Sequence, residues 1–218
     1  MGDFDADGAT STALMVLALR RMGAQVDYLV PDRFKYGYGL TPEIVALAIQ
    51  DYQPELIVTV DNGISSHVGV DAAHAAGIQV IITDQHLTSK NVPECAAVVN
   101  PNQPDCHFPS KALAGVGVAF YVLATLSTQR KQHGKAGENL AQYLDIVALG
   151  TVADVAQLDQ NNRILVAAGI ERIRHSACRP GILALLEVAS REPSKLHAQD
   201  LGFILGPRIN AAGRMDNM

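Results

Sequence analysis

The chain has 218 residues, 48% hydrophobic and 18% charged, which fits a globular protein with a sizeable core and excludes a disordered one. Its net charge of −5 speaks against a surface built mainly for nucleic acid, although bound cations would offset part of it, and its three widely spaced cysteines (Cys95, Cys106, Cys178) exclude a disulfide framework or zinc knuckle and suit a reducing cytoplasm. No apolar run nears the roughly 20 residues that cross a bilayer, and no signal peptide precedes the first motif, so no membrane association is expected.

The chain opens on GDFDADGATS (2–11), which sets the carboxylates of Asp3, Asp5 and Asp7 directly ahead of a helical pattern over 9–23. Such a motif needs a strand before it to aim the carboxylates, so a first strand is expected to be missing from this chain. VDYLVP (26–31) reads as a strand, and a loop then carries Arg33, Lys35, Tyr36 and Tyr38 around GYGL (37–40). The two cations there suit phosphate or solvent equally. The two tyrosines suit base stacking, or plain packing. Thr41 followed by Pro42 and Glu43 signals the start of a helix over 41–52.

LIVTV (56–60) is short, β-branched and followed by Asp61 in VDNG; VIIT (80–83) has the same character and is followed by Asp84 in TDQH. A helix is expected between them over 66–76, stopped near Gly77, and AAVVNP (96–101) reads as a further strand. Beyond about residue 110 the strand signals cease. Residues 112–131, 138–152, 162–175 and 179–191 read as helices, and the closing GRMDNM reads as a loop. The fold class is therefore α/β, a parallel sheet with helices on both faces, followed by a helical section. Residues 1–110 are expected to form the metal-binding core and 111–218 the helical part, leading toward a C-terminal domain outside this chain.

In open parallel sheets, ligands bind outside the carboxyl ends of the strands. Asp61, Asp84 and the Asp3–Asp7 run all fall at such ends, so topology alone gathers them on one edge. Two carboxylates about 4 Å apart at an effective dielectric of about 20 repel by about 4 kcal/mol. Several such pairs rival a whole domain's stability of roughly 5–15 kcal/mol. Either some of these groups are protonated or divalent cations sit among them. Oxygen ligands with an imidazole suit Mg²⁺ or Mn²⁺, and one or two such ions can drive phosphoester hydrolysis. A D-x-D pair alone is ambiguous, since calcium loops and solvated turns use it too; VDNG and T-D-x-H at further strand ends remove much of that ambiguity.

GDFDADGATS, GYGL, VDNGIS, TDQH and ALGTVADV (148–155) resemble, in order, the motifs of the DHH phosphoesterase superfamily. PSKALAGVGVAFYV (109–122) and LGPRINAAGRM (205–215) narrow the likeness to its RecJ branch of 5′→3′ single-strand-specific DNA exonucleases. The resemblance implies a Mn²⁺- or Mg²⁺-dependent nuclease of recombination and repair, with single-stranded DNA as substrate and a helicase or single-strand-binding protein as candidate partner. It makes Asp5, Asp7, Asp61 and Asp154 metal ligands, with Asp61 bridging two ions and Asp3 supporting them. It gives Asp84 and His86 the catalytic end of the Asp-His-His motif, with His86 facing phosphate or water. It places Arg208, Asn210 and Arg214 on substrate. Gln85 departs from the family, which has a metal-binding His there. Its neutral amide oxygen is a poorer ligand, so weakened occupancy of one metal is expected.

Two other readings follow from the same residues. A small-substrate DHH phosphoesterase would act on pyrophosphate, short oligoribonucleotides or cyclic dinucleotides, against which the segments at 109–122 and 205–215 speak. A non-catalytic scaffold would explain Gln85, against which the full set of aspartates speaks. Elsewhere, His67 and His74 read as helix-surface residues and His107 beside Cys106 as an isolated pair. Gly115 and Gly117 open a helix whose N-terminus can bind an anion, or simply allow close packing.

Overall fold

The computed structural model describes residues 1–88 and 91–213, without the side chain of Arg33; Arg214 and the rest of GRMDNM lie outside the described residues. Three strands, β1 (Leu56–Val60), β2 (Gln79–Thr83) and β3 (Ala97–Val99), pair in parallel in the order β1-β2-β3. Ile57 lies opposite Val80 and Ile81 opposite Ala97, which brings Val60 and Thr83 level at one end. Met1 and Gly2 run along the free edge of β1, where Gly2 bridges Val60 in parallel, Met1 N–H donates to Val58 and Val60 N–H donates to the Met1 carbonyl. Asp3 therefore leaves the sheet at the same end as Asp61 and Asp84.

The strand expected over 26–31 does not form. Gly2 N–H donates to the Leu29 carbonyl at 3.0 Å and the Arg20 side chain to the Val26 carbonyl, and one backbone bond to a two-residue partner makes no ladder. A one-turn helix, α2 (Arg33–Tyr36), follows it.

Helices cover both faces. On one face, α1 (Ala6–Arg21), α5 (Gly115–Gln132) and α6 (Leu144–Ala153) pack Leu14, Ala18, Val116, Ala119, Leu123 and Val147 against Val58 and Val60. On the other, α3 (Pro42–Tyr52) and α4 (His67–Ala75) pack Ile44, Val45, Val70 and Ala73 against Ile57, Val80 and Ile82. Each Leu, Ile or Val side chain so buried contributes about 1.5–3 kcal/mol.

α1 starts at Ala6, three residues before the expected 9, because the Asp5 carboxylate caps it by accepting Gly8 N–H at 2.8 Å. The segment expected as one helix over 138–152 divides into a 3₁₀ turn, Leu140–Tyr143, and α6. From Asp145 to Thr151 every α6 residue is buried, because the helix is enclosed on all sides. Its far side meets a third apolar cluster of Ala148, Leu149, Ile170, Ile173, Leu186 and Leu205, carried with it by α7 (Gln160–Arg174), α8 (Pro180–Val188) and the closing helix. A 3₁₀ turn, Pro193–Lys195, leads to that closing helix. It begins as α9 (Ala198–Asp200), widens into a π-helical stretch over Leu201–Leu205, and ends as α10 (Gly206–Ala212). No helix among the described residues is long and apolar enough to cross a membrane.

Candidate metal centre

At the carboxyl end of the sheet, one oxygen each of Asp3, Asp5 and Asp61 lie within 4.8 Å of one another, as do ligand atoms of Asp61, Asp84 and His86. Asp61 belongs to both sets. Its backbone turns left-handed at φ 60°, a conformation that Asp tolerates better than most residues, and this ends β1. The side chain is 1% exposed, and its Oδ1 is buried without a hydrogen-bond partner. A buried carboxylate oxygen left in that state is costly unless a ligand takes it. Gly115 makes room for it, since a Cβ there would come within 2.5 Å of Asp61 Oδ1.

The other expected residues divide by what already holds them. Asp7 is 1% exposed, and both its oxygens accept from the first amides of α5, Gly115 N–H at 2.6 Å and Val116 N–H at 2.9 Å. The anion at the N-terminus of that helix is thus the protein's own carboxylate. Asp84 is held on both oxygens. Oδ2 accepts Ile64 N–H at 2.9 Å, while Oδ1 accepts Gln85 N–H and His86 N–H and meets His86 Nδ1 at 2.7 Å. This pins the His86 ring by Nδ1 and turns Nε2 away from Asp84, on a side chain that is 47% exposed.

Asp154 caps the C-terminus of α6. Val155 N–H donates to the Val152 carbonyl and Ala156 N–H to that of Thr151, which is a Schellman closure. Val155 occupies its left-handed position at φ 58°, strained for a β-branched residue. Tyr38 closes the rim from GYGL. Its hydroxyl lies 3.4 Å from the Asp61 carbonyl, and its ring meets that of His86 edge-on at 6.2 Å. A groove of about 670 Å³ runs from Asp84 and His86 past Tyr38, Ile64 and Val68.

The electrostatics follow from this crowding. Burial, then the charges of Asp7, Asp5, Asp154 and Asp3, push Asp61 well above the ordinary carboxylate value. Asp7 is raised to about 7, by burial first and then by Asp154, against the lowering pull of the Val116 and Gly115 amides. Asp154 is raised to about 6 by burial and the charge of Asp5. Burial also pushes Asp84 upward, but the donors from His86 and Ile64 outweigh it and hold its carboxyl below the usual range. The hydrogen bond to Asp84 in turn raises His86, against burial. Three of these carboxyls thus resist ionising together, and a divalent cation among them removes that resistance.

Asp7 and Asp154 lie outside the two ligand sets but act on them through charge. Gln85 is half-buried, and its carbonyl accepts from the Asn102 amide at 2.6 Å. On α10, Arg208 donates to the Ile204 carbonyl, and the Asn210 amide oxygen accepts Ala6 N–H at 2.7 Å. Arg214 lies outside the described residues. His67, His74 and His107 are exposed and belong to neither ligand set. Sequence reasoning missed the amides of Ile64 and Val116, for which backbone donors leave no residue-type signal; the helix opened by Gly115 was the one available sign.

The model of the DHH family, N-terminal domain, matches residues 1–151. The single-stranded-DNA-specific exonuclease RecJ of Dickeya dadantii is 61% identical over a 225-residue alignment that covers 100% of this chain and 39% of that protein. The RecJ exonuclease of Escherichia coli is 60% identical with the same coverage. Among solved structures, an exonuclease RecJ bound to manganese superposes with a TM-score of 0.84 at 35% identity, over 99% of this chain and 52% of that one. RecJ from Thermus thermophilus in complex with Mn²⁺ gives 0.78 at 35% identity, over 98% of this chain and 29% of that one. The chain thus spans about two fifths of the length of these two curated relatives.

Proposed function

The chain belongs to the DHH family, and from that premise we propose that it is the catalytic core of a RecJ-like, metal-dependent 5′→3′ exonuclease of single-stranded DNA, working in recombination and repair. The observation that carries the reading is Asp61, shared by two sets of ligand atoms and holding a buried oxygen with no partner. The relatives named as exonucleases, similar from end to end of this chain, support the substrate class.

The donor set fits hard divalent ions. By the family likeness Asp5, Asp7, Asp61 and Asp154 would hold Mn²⁺ or Mg²⁺; of these Asp5 and Asp61 already converge, with Asp3, while Asp7 and Asp154 would have to turn toward the ion, and Gln85 stands where the family's histidine ligand belongs. Such ions supply a polarised phosphoryl oxygen and an acidified water. The chain's own residues do the rest. Asp84 fixes His86 by Nδ1, so that Nε2 is the atom offered to a phosphate oxygen or to water. The groove beside Tyr38, Ile64 and Val68 would take an unpaired strand. Arg208 and Arg214 add phosphate contacts through planar guanidinium groups.

The same reading assigns residues 1–110 to the metal-binding core and 111–218 to a helical part that packs beneath it through α5. A helicase or single-strand-binding protein, which supplies or presents unpaired strands, is the partner class that fits, and the reducing cytoplasm is the compartment. A competition assay in Mn²⁺ between 5′-labelled single-stranded DNA and pyrophosphate, short oligoribonucleotides and cyclic dinucleotides tests it. Mononucleotide release from the DNA is expected. Turnover of the small substrates with the DNA left intact would contradict it.

A further inference from the structure

Helices leave their first amides without intrahelical partners, and α1 begins inside the metal centre. Its first turn is closed from two places. The Asp5 carboxylate takes Gly8 N–H at 2.8 Å, while Ala6 N–H is taken at 2.7 Å by the amide oxygen of Asn210, 204 residues further along the chain. Ala6 is 1% exposed, so water does not serve as the alternative acceptor. The amide in question belongs to the peptide that follows Asp5 and precedes Asp7, the two carboxylate-bearing residues of the turn.

α10 meets the same loop a second time. Gly213, just beyond it, lies so close to Phe4 that a Cβ would come within 2.0 Å of the Phe4 carbonyl oxygen. The π-helical stretch Leu201–Leu205 sets this register, because its wider turn rotates α10 relative to α9, and fully buried Leu201 and Leu205 anchor it in the third cluster.

We infer that Asn210 is a positioning residue of the metal centre: by holding Ala6 N–H from α10 it fixes the peptide that follows Asp5, so that the Asp5 carboxylate is set, with those of Asp3 and Asp61, to meet a divalent cation. The inference rests on the metal-dependent reading above and deepens it. It gives the end of the described chain a direct grip on the ligands at its beginning. A merely structural Asn210 would change how readily the chain unfolds and leave the cation affinity of the folded chain as it was.

Mn²⁺ titration of the 218-residue chain, followed by the electron paramagnetic resonance of free Mn²⁺ at a temperature where circular dichroism shows it folded, separates the two. Asn210→Ala is expected to weaken Mn²⁺ binding by about 10- to 100-fold, the range for losing a group that orients a ligand. Asn210→Asp keeps an oxygen at the same place and is expected to restore the affinity. Gly213→Ala, which forces α10 off Phe4, is expected to weaken it in the same direction. A folded Asn210→Ala with wild-type affinity overturns the inference, as does Asn210→Asp binding as weakly as Asn210→Ala. Should Asn210→Ala not fold, wild-type affinity in Gly213→Ala overturns it. A wild-type chain that takes up no Mn²⁺ overturns the metal-dependent reading itself.

Discussion

Asp145 and Asp61 are both buried almost completely, and their surroundings are opposite. Asp145, in the helical section, has no exposed surface; Arg179 N–H donates to it at 2.7 Å, and the Arg179 guanidinium lies 3.2 Å away, over the ring of Tyr143. Asp61, on the sheet rim, is equally hidden, yet one of its oxygens has no partner and its neighbours are Asp3, Asp5, Asp7 and Asp154. A buried charge with a counter-ion built in belongs to the architecture. A buried charge whose counter-ion must come from outside marks a binding site.

Exchanging the two situations breaks the comparison most sharply. Asp145→Ala strands the Arg179 cation and is expected to lower stability by about 3–5 kcal/mol, read from urea unfolding, with Mn²⁺ affinity of the folded fraction unchanged. Asp61→Asn is expected to do the reverse. It removes a repelled charge, so the metal-free chain melts at a higher temperature, while Mn²⁺ binding falls by more than the about 100-fold associated with a mere orienting group. An Asp61→Asn protein that melts lower without metal and binds Mn²⁺ normally would remove the distinction.

Acid and base should also tell the two regions apart. Asp154 and Asp7 sit raised at about 6 and about 7, so the native chain holds protons that the unfolded chain releases above the ordinary carboxylate value. Stability from these groups is therefore complete below a pH of about 4 and is lost as the pH climbs through 6 and 7. Melting curves of the metal-free chain are expected to fall over that window, and Mn²⁺ is expected to abolish the fall, because it binds the ionised forms.

The smallest expected effect concerns Gln85. Gln85→His supplies an imidazole where the amide stands and is expected to tighten Mn²⁺ binding by about tenfold, an effect of about 1.4 kcal/mol, in the same titration. Unchanged affinity would show that this side chain does not reach the ion.

The rim was far more legible in the sequence than what holds it. LIVTV and VIIT are strands, with Asp61 and Asp84 at their ends, because short β-branched runs closed by turn residues have few other outcomes. The segment 26–31 has the same local character but a single backbone bond, to Gly2, in place of a neighbouring strand, and pairing partners are not a local property. The hold of Gly115 and Val116 on Asp7, and of Asn210 on Ala6, joins residues more than a hundred positions apart through backbone donors. No composition or periodicity carries that information. Asn210 read as a substrate contact for this reason, since a polar residue beside two arginines looks the same whether it faces phosphate or another helix.

Anomalous diffraction from a Mn²⁺-soaked crystal addresses the acidic rim without intermediaries. Manganese density is expected in contact with Asp61, flanked by carboxylates of the opening motif. Density confined to other surface acids, with Asp61 Oδ1 still unpartnered, would contradict it.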